Sequence, residues 1–117
     1  MKQYVPKVSE SDVERILKRD FPNEQIEEIL VMIRQVEVRE KPRVILACLK
    51  IANGNLERLR GELINAEGYW REIISEAEYP NYSKKMFRIN KLSADEQNKI
   101  IEKDRDQYQK WFDRIKA

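Results

Sequence analysis

The chain has 117 residues, 41% apolar and 38% charged, with a formal net charge of +2, three glycines, four prolines, one cysteine and no histidine. The lack of histidine removes the commonest general base and the commonest metal ligand together, and a single cysteine leaves no intrachain disulfide. Few breakers and many Glu, Lys, Arg and Leu specify helices with a densely charged solvent face, on a chain long enough to bury one core.

Residues 1–10 are expected to form an extended arm, with Pro6 keeping the chain out of a helix. Ser11-Asp12-Val13-Glu14 reads as a capping box opening a short helix with Val13, Ile16 and Leu17 inward. Phe21-Pro22-Asn23 stops that helix and starts the next, in which Ile26, Ile29, Leu30, Ile33 and Val36 recur at helical spacing. Glu37 to Lys41 is a connection, and Pro42 suits the first turn of a third helix that runs to Ala52. That helix is apolar on most of its circumference, so it should be central. Cys48 lies inside its apolar run and should behave as a small core hydrophobe, not a reactive thiol. Asn53-Gly54-Asn55 ends it, with Gly54 in the left-handed position and Asn55 capping the helix beyond.

Leu56, Leu59, Leu63, Ala66, Trp70, Ile73 and Ala77 are spaced 3-4-3-4-3-4, a heptad seam that predicts one helix over 56–78, continuous through Gly68. Gly61 and Gly68 share a second face where another helix can approach closely. Pro80 ends the helix, and residues 79–92 form a connector with room for one helical turn. Ser93-Ala94-Asp95-Glu96 is a second capping box. It opens a final helix over 94–116, with Ile100, Ile101, Tyr108, Trp111, Phe112 and Ile115 on one stripe. The fold expected is all-α, a single-domain bundle of five to six helices whose core depends on Ile33, Leu49 and Leu63.

The chain has no phosphate loop, no dinucleotide-type glycine motif and no calcium-type acidic loop, and its serines have no histidine to activate them. No catalytic, metal or cofactor site is expected. Asp104 stands out because it lies in the middle of the final helix's apolar stripe, where a carboxylate needs a donor. Arg58, Arg60 or a tyrosine hydroxyl could supply one within the chain, or a second copy could supply one across a dimer seam. Tyr108, Trp111 and Phe112 around it are of the aromatic types enriched in interface hot spots, so all four are candidate interaction residues. A second candidate set is Lys84, Lys85 and Arg88, with Lys91, interleaved with Tyr82 and Phe87 in a way that can hold phosphates. Residues 83–117 carry ten basic and six acidic side chains, a mild polarity compared with most nucleic-acid-binding domains.

The segment Ala47-Cys48-Leu49-Lys50-Ile51-Ala52-Asn53-Gly54-Asn55-Leu56-Glu57-Arg58 resembles the second and third helices of ubiquitin-associated domains. The connection from Val36 to Pro42 lacks the Met-Gly-Phe-like loop with which that family grips its partner. The longer run from Val44 to Pro80 resembles a group of small uncharacterised bacterial helical proteins, which implies a bacterial, cytosolic setting and carries over no site. The same Asn-Gly turn read as a DNA-binding helix-turn-helix would turn the acids of its second helix toward phosphate. The longest apolar run is six residues and the N-terminus has no apolar signal core, so a cytoplasmic protein without a membrane partner is expected. The function expected is a non-enzymatic protein–protein interaction module, self-association included. The alternative is weak nucleic-acid binding through residues 82–91.

Overall fold

The run Val44–Leu49 is wholly buried in the computed structural model, which describes residues 5–115: none of its six side chains is more than 1% exposed. It belongs to the third of seven helical segments among the described residues. In chain order these are α1 (Glu10–Asp20), α2 (Asn23–Arg34), α3 (Lys41–Ala52), α4 (Leu56–Glu78), α5 (Pro80–Lys84), a 3-10 helix (Met86–Lys91) and α6 (Ala94–Asp113). No strand occurs among the described residues, so the chain is all-α. α3 is central because its apolar residues leave almost no polar face. α4 covers one side of it, and α1 lies on another. A single core joins α1 to α4 with Tyr108 and Trp111 of α6.

The α3–α4 joint forms as its residues require. Asn53 and Gly54 both take positive φ, +49° and +83°, and the Asn55 side chain accepts the Arg58 amide at 2.9 Å. The seam of α4 faces inward: Leu59, Leu63, Ala66, Ile73 and Ala77 are buried, and Leu56 and Trp70 are half-buried. Ile74 and Glu78, one residue further round, are buried as well.

Several expectations are corrected. The first helix begins at Glu10, two residues early, because Ser9 and not Ser11 is the N-cap. Asp12 accepts the Ser9 amide at 2.9 Å and its hydroxyl at 3.2 Å. Of the expected arm, residues 5–9 are in no helix, and the first four residues lie outside the described ones. α4 spans Leu56–Glu78 but is not uniform: two helical stretches meet at a kink at Tyr69 (φ −128°, ψ 31°), where Gly68 has weakened the local helical preference. Among the described residues no helix approaches Gly61 or Gly68; a Cβ at either would meet nothing of them within 4 Å. The 79–92 connector holds α5 and the 3-10 helix, more structure than one turn. α6 stops at Asp113, so Ile115 leaves the stripe and is 85% exposed, while residues 116 and 117 lie outside the described ones. Ile33 is only partly buried, against the edge of the core.

Two glycines should respond oppositely to alanine. Gly54 combines a positive φ with an Asp20 carbonyl 3.1 Å from the position of an added Cβ. Gly54→Ala should therefore lower stability by about 1–2 kcal/mol. Gly61 is helical, exposed and surrounded by open space, so Gly61→Ala should raise it by about 0.5–1 kcal/mol. Urea unfolding midpoints of the two variants and the parent check both.

Candidate functional site

Ser93 caps α6, accepting the Glu96 amide at 3.1 Å, and from there the helical period turns Asp104, Tyr108 and Trp111 to one face. Asp104 is 2% exposed. Its donors are none of those expected from the sequence. Oδ1 accepts the backbone N–H of Asn81 at 3.0 Å and the Asn81 side-chain amide at 2.8 Å, and Oδ2 accepts the Tyr82 N–H at 2.9 Å. These amides are the free donors at the start of α5, since Pro80 has no N–H and the Ser83 amide already bonds the Tyr79 carbonyl at 3.0 Å. Asp104 thus caps another helix at long range. One turn on, the Gln107 amide donates to the carbonyl of Ala77 at 3.1 Å and of Glu78 at 3.4 Å, at the end of α4. Arg58 and Arg60 point elsewhere, Arg58 toward Glu76 and Arg60 to Glu28 and Glu57.

The three aromatics also find their partners inside the chain. Tyr108 is 2% and Trp111 9% exposed, with ring centroids 5.3 Å apart, and Phe112 stacks on Tyr108 at 6.2 Å. Phe112 is half-buried, with the Arg15 guanidinium 4.6 Å over its ring. Arg15 and Arg19 of α1 close the C-terminal end of α6. Arg19 donates to the Trp111 carbonyl at 2.7 Å and the Arg114 carbonyl at 2.9 Å, and Arg15 donates to the Phe112 carbonyl at 3.0 Å. Of the first candidate set, Asp104, Tyr108 and Trp111 are buried, and Phe112 is half-buried.

The second set stands apart from the first. Lys84, Lys85 and Arg88 are all exposed, as is Lys91, and Phe87 between them is 97% exposed. Ile89 is 6% exposed and anchors the segment, and the Gln97 side chain donates to the carbonyls of Ile89 at 2.8 Å and Leu92 at 3.2 Å. Tyr82 is half-buried and set edge-on to Tyr79 at 6.3 Å, so it is not part of the exposed face.

The long-range ionic pair of Arg43 and Glu78 escaped the sequence reading. Arg43 grips Glu78 with two hydrogen bonds of 2.7 Å, which ties the start of α3 to the end of α4. The signal was available: Glu78 follows Ile74 by four residues, on the flank of the seam. Burial raises the Glu78 carboxyl above its ordinary value, and the Arg43 hydrogen bonds and charge pull it back only in part. Arg43 is raised in turn, chiefly by its hydrogen bond to Glu78. Burial pushes the Cys48 thiol up to about 12, so it stays protonated in the core. Among the described residues no group of three or more Cys, Asp or Glu converges as a metal would require, and no helix is long and apolar enough to cross a membrane. Compared with family models, curated proteins and solved structures, the chain matches none.

Removing the Asp104 carboxylate strands the Asn81 and Tyr82 amides, so Asp104→Ala should cost about 2–5 kcal/mol in unfolding free energy. Glu78 gives a pH signature. A carboxyl with a higher pKa folded than unfolded stabilises the fold while protonated, and that contribution is lost as pH rises through the raised value. The stability of the parent relative to Glu78→Gln should therefore fall as pH goes from acidic to neutral, which parallel denaturant titrations over that range check.

Proposed function

We propose that the chain is a non-enzymatic interaction module that binds a second copy of itself through the outer face of α4. The observation that carries this reading is Ile64, an aliphatic side chain of α4 that is 80% exposed. Gly61 precedes it by about one turn and Gly68 follows by about one, both exposed and both without a side chain, which leaves room beside Ile64 for a partner helix. The charges on this face suit a copy of the same helix. In an antiparallel pair with a two-fold axis at Ile64, residues equally spaced before and after it face each other. Glu57 then meets Arg71, and Arg60 lies within one residue of Glu67. Arg60 is already held beside this face by Glu28 and Glu57 of its own chain. Such isologous contacts are self-complementary by symmetry. The reading as a binder rather than an enzyme also rests on a sequence without histidine and a thiol held protonated by burial.

One helix pair covers less than the roughly 1,200 Å² of stable complexes, so the dimer should be weak, with a dissociation constant at micromolar or above. Sedimentation velocity over a rising concentration series should show the mass approach twice that of the chain. Ile64→Lys should hold it at monomer mass with stability within about 0.5 kcal/mol of the parent, since the side chain is exposed. Arg71→Glu should weaken association, and adding Glu57→Arg should restore it. A parent that stays monomeric at every concentration overturns the reading.

A further inference from the structure

We infer that the 84–91 segment is a binding site for single-stranded nucleic acid, with Phe87 as the base-stacking platform and Lys85, Arg88 and Lys91 as the phosphate contacts. The inference is independent of self-association through α4, and a different surface carries it.

The 3-10 geometry sorts this segment into columns. Residues three apart stack along a 3-10 helix, about 6 Å apart on its axis. Met86, Ile89 and Leu92 form one column: Ile89 is buried, Leu92 half-buried and Met86 53% exposed. Lys85, at the cap, with Arg88 and Lys91 forms a second column, cations only and all exposed. Phe87 and Asn90 lie on the third, also exposed, with the Phe87 ring almost wholly in solvent at 97%, and Lys84, the exposed last residue of α5, comes just before them. The basic segment therefore folds into an inward apolar edge and two outward edges, one cationic and one aromatic.

The electrostatics select an anionic partner. No carboxylate occurs between Glu78 and Asp95, and none of the four cations bonds or ion-pairs through its side chain with any described residue. The anchoring by Ile89 and by Gln97 fixes the segment in advance, which limits the ordering cost of binding. A bare aromatic ring among cations suits a single strand, because an unpaired base offers a free face to stack on while its backbone runs over the charges. A duplex keeps its base faces inside the stack. An anionic membrane fits less well: surface-bound segments bury a broad apolar face, whereas here the apolar column turns into the protein and leaves Phe87 and part of Met86.

The test is fluorescence anisotropy of a labelled oligothymidine at low salt, with a duplex of the same length and anionic phospholipid vesicles as comparison arms. The oligothymidine should bind more tightly than the duplex, with log K falling against log salt at a slope of about −2 to −3 for three to four phosphate contacts. Phe87→Ala should weaken binding by about fivefold or more and leave the slope unchanged. Arg88→Ala should flatten the slope by about 0.7. Both side chains are exposed, and circular dichroism confirms that the variants fold. Ile64→Lys, which tests the α4 face, should bind as the parent does. Equal affinity for the duplex, indifference to Phe87→Ala, loss of binding in Ile64→Lys, or binding to vesicles alone each overturns the assignment.

Discussion

A carboxylate buried in the middle of an apolar stripe constrains everything around it. Left without donors, Asp104 would cost several kcal/mol to bury. It has three, and all of them belong to Asn81 and Tyr82, which follow Pro80 in the first turn of α5. Pro80 sets up this arrangement, because it breaks the chain out of α4 and brings no amide of its own to the first turn of α5. Gln107, three residues beyond Asp104, takes the carbonyls that the same break leaves free at the end of α4. One face of α6 therefore satisfies both sides of the α4–α5 corner. Moving α6 away would expose the aromatics and also uncap two helix ends inside the protein, so its packing against its own chain follows from hydrogen bonding as much as from apolar area.

Much of this was legible in the sequence, and where it was not the reasons are physical. Helix identity followed from periodicity. The seam from Leu56 to Ala77, the Asn53-Gly54-Asn55 joint and the Ser93 cap all lie where spacing and cap chemistry assign them. The start of α1 was misread because Ser9 and Ser11 are both plausible caps with an acid three residues on. Val8 packs partly against the core, and with Ser9 as cap it becomes the residue just before the helix, a position from which an apolar side chain helps fix the entering chain. The kink at Tyr69 departs from the uniform helix that the seam predicts through Gly68. A glycine cost of about 1 kcal/mol bends a helix held by a continuous buried seam, but does not cut it.

The long-range polar partners were the least legible part. That Asp104 needed a donor followed from the helical wheel, but a wheel says nothing of which backbone passes nearby, and the donors proved to be main-chain amides. Arg19 and Arg43 read as two cations among 23 basic residues. Their roles, one closing α6 and the other gripping Glu78, depend on which helix ends meet in space. The C-terminal overestimate has the same origin. Arg19 takes the Trp111 and Arg114 carbonyls, which fixes the end of α6 three residues before the sequence pattern runs out.

The fold takes the large side chains of α6 into its core, which changes where recognition can occur. Ile64 and Phe87 are the two helical residues that stand most exposed among the apolar ones, and their electrostatic settings differ in kind. Around Ile64 the signs alternate, with Glu57, Arg60, Glu67 and Arg71. An alternating pattern read against its own reverse meets opposite charge, so a two-fold axis makes the face complementary to itself. Around Phe87 every charge is positive, from Lys84 to Lys91. No rotation makes a single-sign patch complementary to a copy of itself, because like charges would meet in any register. The two surfaces are therefore suited to different partners by charge order alone, a like helix at α4 and a polyanion at the 3-10 segment, and occupying one leaves the residues of the other free.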